Sequence, residues 1–148
     1  TAVCLGEVMK PDFKKYAKQI LLNAKVLAKE LMDGGAKLVT NGTDNHLMLV
    51  DCTKSWGLNG KEVEHFLDDI GITLNKNTVP DDPNPPFRPS GIRLGTPAST
   101  TRGMCEKEMK QIGKLILSAV AARADKGKLK KIHAEVKTLN NKFPIPSV

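Results

Sequence analysis

With 148 residues, 40% of them hydrophobic and 26% charged, the chain fits a single domain large enough to bury a core of its own. No run of apolar residues approaches the length of about eighteen that a membrane span needs, so we expect no membrane partner. The three cysteines, Cys4, Cys52 and Cys105, are too few and too scattered for a disulfide framework, which favours a reducing compartment.

The net charge of +7 is concentrated near the C-terminus. Residues 1–100 contain 12 basic and 12 acidic side chains, whereas residues 101–148 contain 11 basic and 4 acidic ones. A basic segment can bind nucleic acid, but these lysines alternate with apolar residues at helical spacing, and Phe143 is the only aromatic residue among them. The pattern favours the solvated face of helices, and we expect no nucleic-acid partner.

A long amphipathic helix is predicted over residues 12–32. Apolar side chains recur there every three or four positions, and a Gly-Gly pair follows as a stop signal. Two short strands are then predicted at residues 37–40 and 47–50, with Asn-Gly and Asp-Asn turn signals between them. Strands so close in sequence favour antiparallel pairing.

The next helix carries its own start and stop signals. Asn59 can cap its N-terminus while Glu62 reaches back from the third helical position, and Gly71 supplies a left-handed residue at the C-terminus. A short strand is predicted at residues 72–74. Residues 80–89 then contain five of the nine prolines, which predicts either a disordered loop or a functional one.

Arg93 lies in the middle of the next predicted strand, between Ile92 and Leu94. Because strand side chains alternate between the two faces of a sheet, Arg93 must point opposite to both of these apolar residues. If they face the core, the guanidinium faces outward. A turn rich in hydroxyl side chains follows the strand and leads into a helix.

Two further helices are predicted near the C-terminus. The first covers residues 105–123 and the second runs from about residue 129 to residue 139, after an Asp-Lys-Gly turn at residues 125–127. The order helix, two strands, helix, strand, loop, strand, two helices predicts an α+β fold. It would be an α/β sandwich with a small, mostly antiparallel sheet packed with helices.

Most of the reactive side chains favour structural interpretations. The histidines have no second ligand at metal spacing, so we expect no metal site: His46, His65 and His133. His46 beside Asp44 favours a hydrogen-bonded turn at a strand start over an acid/base pair. The hydroxyls of residues 99–101 lack the glycine-flanked elbow of a serine hydrolase and favour turn or helix-capping roles. Cys105, at a helix start, favours burial as a small core residue.

Arg93 leaves two interpretations open. A guanidinium held on a strand suits a carboxylate ligand, to which it donates two parallel hydrogen bonds. The structural alternative is an ion pair with a carboxylate of its own chain, such as Asp51 or Asp44. Spacing alone favours neither interpretation.

Several stretches of the sequence together resemble one known family. They are GTDNHLMLVD at residues 42–51, NKNTVP at 75–80, PF at 86–87, SGIRLGTPA at 90–98 and TRG at 101–103. Their order and spacing agree over nearly the whole chain. The chain resembles the C-terminal part of serine hydroxymethyltransferase.

This resemblance implies a fold-type-I enzyme dependent on pyridoxal phosphate, which moves a one-carbon unit between serine and tetrahydrofolate. Residues 1–10 would be the end of an interdomain helix and residues 11–148 the small C-terminal domain. Arg93 would bind the carboxylate of the amino-acid substrate. Asn77 would contact the folate, close to the proline-rich loop. The implied partners are the chain's own large domain, serine or glycine, folate and further subunits of a homo-oligomer.

One part of the family pattern has no counterpart in this sequence. The family's cofactor lysine lies in a threonine-rich segment followed by His-Lys, and no such segment occurs here. We therefore expect no catalytic residue in this chain and predict that it is inert by itself, although the parent protein is an enzyme. The start at Thr1 suggests a fragment or a processed product. A cytoplasmic location is expected, with a mitochondrial or plastid form left open.

Two other functions compete with this one. A non-catalytic module could use the basic last third to bind nucleic acid or an acidic partner, and its binding would depend on salt. A purely structural domain would instead hold Arg93 in an ion pair away from any cleft.

Overall fold

A computed structural model describes residues 1–146. Within this range the helices are α1 (Ala2–Val8), α2 (Pro11–Asp33), α3 (Cys52–Trp56), α4 (Gly60–Asp69), α5 (Pro97–Thr101), α6 (Glu106–Ala121) and α7 (Lys126–Lys142). The strands are β1 (Lys37–Leu38), β2 (Leu47–Asp51), β3 (Asn75–Asn77) and β4 (Gly91–Gly95). All neighbouring strands pair antiparallel, in the order β1-β2-β4-β3. The predicted α+β class with a small antiparallel sheet is confirmed.

The core lies between one face of this sheet and the helices α2, α4 and α6. The sheet contributes five apolar side chains that are at most 7% exposed: Leu38, Met48, Val50, Ile92 and Leu94. The helices contribute a matching apolar set that is at most 3% exposed: Leu27, Leu31, Val63, Leu67, Met109 and Ile116. The other face of the sheet stays open, because Arg93 and Asn75 on it are exposed and Leu49 is only half-buried.

The local signals read from the sequence are confirmed in α2 and α4. Helix α2 begins at Pro11 and buries the second half of the predicted apolar stripe, from Ala24 to Leu31, whereas Phe13 and Leu21 of its first half are 38% and 40% exposed. At the start of α4, Glu62 N–H donates to Asn59 Oδ1 and Asn59 N–H donates to Glu62 Oε2, both at 3.0 Å, which is the predicted capping box. Gly71 has the left-handed backbone, with a φ of +84°, that a glycine adopts after a helix.

The prediction of a strand at residues 72–74 is wrong, since β3 begins only at Asn75. The N–H of Ile72 is used in the turn that ends α4, where it donates to the carbonyl of Leu67 at 2.9 Å. Leu74 nevertheless reaches the core and is only 8% exposed. The alternating pattern therefore predicted the burial of Leu74 correctly. The pairing with β4, however, begins at the residue after Leu74, where Asn75 pairs with Arg93.

Two smaller differences concern short elements. Strand β1 covers only Lys37–Leu38, because Asn41 N–H donates to the carbonyl of Leu38 at 3.1 Å and turns the chain away. Helix α3 was not predicted. It begins where the Asp51 carboxylate accepts a hydrogen bond from Lys54 N–H at 2.9 Å, and it ends at Gly57 with a φ of +68°.

Cys105 is exposed, so its predicted burial is wrong. It occupies the N-cap of α6, where its N–H donates to Glu108 Oε2 at 3.0 Å. The neighbouring Met104 is buried in the core instead, with 2% of its surface exposed. Among the helices of residues 1–146, none combines the length and the apolar character that crossing a bilayer would require.

Candidate functional site

The open face of the sheet brings the two predicted site residues together. Arg93 on β4 pairs with Asn75 on β3, and Gly91 pairs with Asn77. Cross-strand partners share a face, so Arg93, Asn75 and Asn77 all point to the open side. Arg93 and Asn77 are diagonal neighbours, a relation that places side chains roughly 7–8 Å apart at their bases.

Arg93 is exposed and held by strands on both sides. The residue before it is fully buried and the residue after it nearly so, as the alternation predicted: Ile92 at 0% and Leu94 at 7% exposure. On the β2 side Arg93 pairs with Leu49, and on the β3 side with Asn75. A guanidinium carried on a central strand loses less freedom on binding a ligand than one carried on a loop.

The ion pair considered from the sequence is not formed. Asp51 instead accepts a hydrogen bond from the backbone N–H of Lys54 at 2.9 Å and forms a salt bridge with the Lys54 ammonium at 3.1 Å. Within residues 1–146, Arg93 forms no salt bridge with any carboxylate. Its five N–H donors are therefore available to a ligand.

A cleft of about 450 Å³ opens beside the end of β4, where the chain before β3 diverges from the sheet. Its border includes the polar residues Arg93, Asn75, Ser99 and Arg102 together with core side chains such as Met109. Arg102 is already used, because it donates to the carbonyls of Phe143 at 2.6 Å and Asn140 at 3.0 Å. Of the two guanidinium groups at this border, that of Arg93 has no hydrogen-bond or ion-pair partner within residues 1–146.

Asn77 lies at the edge of the sheet and is half-buried. Its amide nitrogen donates to the carbonyl of Thr78 at 2.7 Å, which orients the side chain. Asn77 does not border the cleft beside Arg93. Arg93 and Asn77 therefore lie on one face of the sheet but at different points of it.

The carboxylate of Asp82 joins the two ends of the proline-rich loop by hydrogen bonds. One carboxylate oxygen accepts from Val79 N–H at 3.1 Å and Ser90 N–H at 2.9 Å, and the other accepts from Asn84 N–H at 2.9 Å and Ser90 Oγ at 2.6 Å. Burial alone would raise the pKa of Asp82, but these hydrogen bonds outweigh it and lower the pKa to about 2. The loop is ordered by a side chain that the sequence did not single out.

At the tip of this loop, Phe87 is 69% exposed. A large aromatic side chain left in solvent within an ordered loop is typical of a contact surface.

The turn after β4 is fixed by buried polar groups of α2. Thr96 Oγ1 donates to the carbonyl of Ile20 at 2.9 Å. Asn23 is fully buried and donates from Nδ2 to Thr100 Oγ1 and to the carbonyl of Met104, both at 2.9 Å. Asn23 was missed in the sequence, where the available signal was a polar residue within the apolar stripe of α2. The Thr100 hydroxyl donates to the carbonyl of Thr96 at 2.8 Å and caps no helix N-terminus.

The turn before β2 has the structural role predicted for it. Asn45 N–H donates to Thr43 Oγ1 at 3.2 Å, and Leu47 N–H donates to Asn45 Oδ1 at 2.7 Å. The side chains of Asp44 and His46 are exposed. In the part of the chain that the structure describes, no group of three or more histidine, cysteine, aspartate or glutamate side chains comes together as a metal site.

The fold and this site define a two-layer α+β domain whose open sheet face carries an exposed guanidinium without an ion pair in residues 1–146. Comparison with known proteins narrows this class. The family model described as serine hydroxymethyltransferase matches residues 1–116. The chain belongs to the serine hydroxymethyltransferase family.

Three curated relatives, each named serine hydroxymethyltransferase, match nearly the whole chain. The protein of Acidobacterium capsulatum is 51% identical over 144 residues, that of Rippkaea orientalis 50% over 143, and that of Koribacter versatilis 48% over 144. Each alignment covers 97% of this chain but only 33–34% of the relative. The chain thus spans about a third of the length of the curated relatives it matches.

Proposed function

We propose that this chain is the small domain of a full-length serine hydroxymethyltransferase, in which Arg93 binds the carboxylate of serine or glycine and Asn77 contacts tetrahydrofolate. One observation carries the proposal. Arg93 is an exposed guanidinium, held by strands on both sides, without an ion pair in residues 1–146, and on the same face as Asn77. Family membership favours this enzyme over a basic binding module.

In this proposal Arg93 orients the amino acid. Two parallel N–H donors of its guanidinium match the two oxygens of a carboxylate, so binding fixes direction as well as position. Orientation of a substrate controls its rate steeply, because small displacements remove the reactive geometry. Asn77 would contribute an amide to a polar ring such as that of folate.

Pyridoxal phosphate is the cofactor that the family implies, and its attachment needs the amine of a lysine. The residues present do not fit it. Every lysine of this chain is exposed, and none borders the cleft beside Arg93. We therefore assign the cofactor to another part of the full-length protein, and to this chain only the binding of the substrate carboxylate and part of the folate site.

The domain division is part of the same proposal. Residues 1–10 would be the end of an interdomain helix, and residues 11–148 the small domain. The apolar side chains of α1 and of its C-terminal cap support this, because Val3 and Leu5 of α1 are 79% and 59% exposed and Met9 after it is 84% exposed. A helix with so much uncovered apolar surface fits one that packs against the large domain or against another subunit of a homo-oligomer.

The test is Arg93→Lys in the full-length enzyme, with serine and tetrahydrofolate varied separately. Lysine keeps the charge but cannot reproduce the two-pronged contact, so kcat/KM for serine should fall by about 100-fold or more. Asn77→Ala should instead raise the half-saturating concentration of tetrahydrofolate by about tenfold.

Arg123→Lys is the matched control, because Arg123 is exposed and its guanidinium donates to the carbonyl of Val120 at the end of α6. Its kinetics should equal those of the unmodified enzyme. Serine kinetics that stay unchanged in Arg93→Lys would overturn the assignment of Arg93. Tetrahydrofolate kinetics that stay unchanged in Asn77→Ala would overturn that of Asn77.

A further inference from the structure

Strand β3 is short and lies at the edge of the sheet, so its pairing with β4 is weak support for Asn77. It pairs with β4 through three residues, Asn75, Lys76 and Asn77. An edge strand also has N–H groups that point away from its only neighbour. Its position therefore depends on whatever binds those outward N–H groups.

Glu64 of α4 binds the outward N–H of β3. Lys76 N–H donates to Glu64 Oε1 at 3.0 Å, and the Lys76 ammonium donates to Glu64 Oε2 at 2.9 Å. The Glu64 side chain is only 20% exposed. Burial alone would raise the pKa of Glu64, but the hydrogen bonds from Lys76 lower it below its usual value, so the carboxylate stays ionised.

Asp82 binds the chain on the other side of Asn77. It accepts from Val79 N–H at 3.1 Å and, through the same oxygen, from Ser90 N–H at 2.9 Å. The segment that leaves β3 is thereby tied to the segment that begins β4. Backbone N–H groups at residues 76 and 79 thus each donate to a carboxylate, one on each side of Asn77.

We propose that Glu64 and Asp82 are positioning residues for Asn77, so that they set the binding of the folate substrate without touching it. The inference rests on the proposed function of Asn77. Arg93 does not need this support, because β4 pairs with β2 over five residues as well as with β3. Loss of either carboxylate should therefore affect the two substrates unequally.

The experiment uses Glu64→Ala and Glu64→Gln in the full-length enzyme. Alanine removes both acceptors, whereas glutamine keeps an amide oxygen for Lys76 N–H. Glu64→Ala should raise the half-saturating concentration of tetrahydrofolate about five- to tenfold and that of serine less than about twofold. Glu64→Gln should change both by less than about threefold. Asp69→Ala is the control, since Asp69 is exposed on the same helix and its side chain forms no hydrogen bond or ion pair within residues 1–146.

A second pair tests the other side of Asn77. In Asp82→Asn one oxygen remains an acceptor, but the NH2 group that replaces the other oxygen faces two hydrogen-bond donors. This variant should therefore show the same selective loss of folate binding. Its control is Asp81→Asn, because Asp81 is exposed and its positive φ of 54° suits asparagine. If Glu64→Ala fails to fold, this pair supplies the same comparison.

The outcomes separate this inference from the proposed function. Equal losses for serine and folate in Glu64→Ala and Asp82→Asn, or unchanged folate kinetics in both, would overturn the positioning role. Equal effects of Glu64→Ala and Glu64→Gln would do the same. If Asn77→Ala itself leaves the folate kinetics unchanged, the proposed role of Asn77 fails instead, whatever the other variants show.

Discussion

Replacing Asp82 with asparagine should destabilise this domain at neutral pH and much less in acid. The carboxylate accepts four hydrogen bonds of 2.6–3.1 Å from three residues at the neck of the proline-rich loop. An asparagine oxygen replaces only one of the two acceptor atoms, and its amide group faces two donors. The loop would then lose the contacts that join Val79 to Ser90.

The size of the effect follows from the pKa of Asp82. A folded pKa of about 2, against the usual 3.8, corresponds to about 2.4 kcal/mol of stability. Because Asp82 is partly exposed, solvent screening reduces this to about 1–2 kcal/mol. The folded pKa is lowered, so the contribution is complete above pH 3.8, is about half lost at pH 3, and disappears as the pH falls through 2.

Urea unfolding of the 148-residue chain, followed by the fluorescence of its single tryptophan, measures this contribution. Trp56 packs against the core and should change its emission when the domain unfolds. The difference in unfolding free energy between the unmodified chain and Asp82→Asn should be about 1–2 kcal/mol at neutral pH and about half of that at pH 3. Asp81→Asn should differ by less than about 0.5 kcal/mol. A difference for Asp82→Asn that does not change with pH would refute the reasoning.

Two other predictions concern packing and activity. A Cβ at Gly60 would lie 1.9 Å from the carbonyl oxygen of Gly91, so Gly60→Ala should cost about 3 kcal/mol or more in urea unfolding. Gly6→Ala, with no atom within 4 Å, should change stability by less than about 1 kcal/mol, and equal midpoints for the two variants would contradict the packing argument. The chain by itself should neither cleave serine nor shift the absorbance of added pyridoxal phosphate, because no lysine borders the cleft of Arg93. Either signal would refute this.

The elements that were correctly predicted are those whose signals lie close together in the chain. The apolar stripe of α2 and the capping box of Asn59 and Glu62 depend on residues within one or two turns of each other. The alternation around Arg93 depends on its two immediate neighbours. Backbone geometry converts such short-range patterns into structure directly.

The errors arose where neighbouring residues competed for the same position in the fold. Residues 72–74 have a strand-like pattern, but the turn that ends α4 uses the N–H of Ile72, and the ladder begins at Asn75. Cys105 was expected in the core, and Met104 occupies that position instead. In each case the competing residue was adjacent in sequence, and only packing chose between them.

The sequence by itself determined the fold class, the direction of Arg93 on its strand and the family to which the chain belongs. Only the tertiary structure decided that Arg93, Asn75 and Asn77 share an open face, since strand register is set by pairing between segments far apart in the chain. The same holds for Glu64, because folding brings the N–H of Lys76 to it from another element of the chain. Asp82 binds Val79 N–H only three residues away, but its contacts with Ser90 join the two ends of the proline-rich loop and depend on the path of that loop.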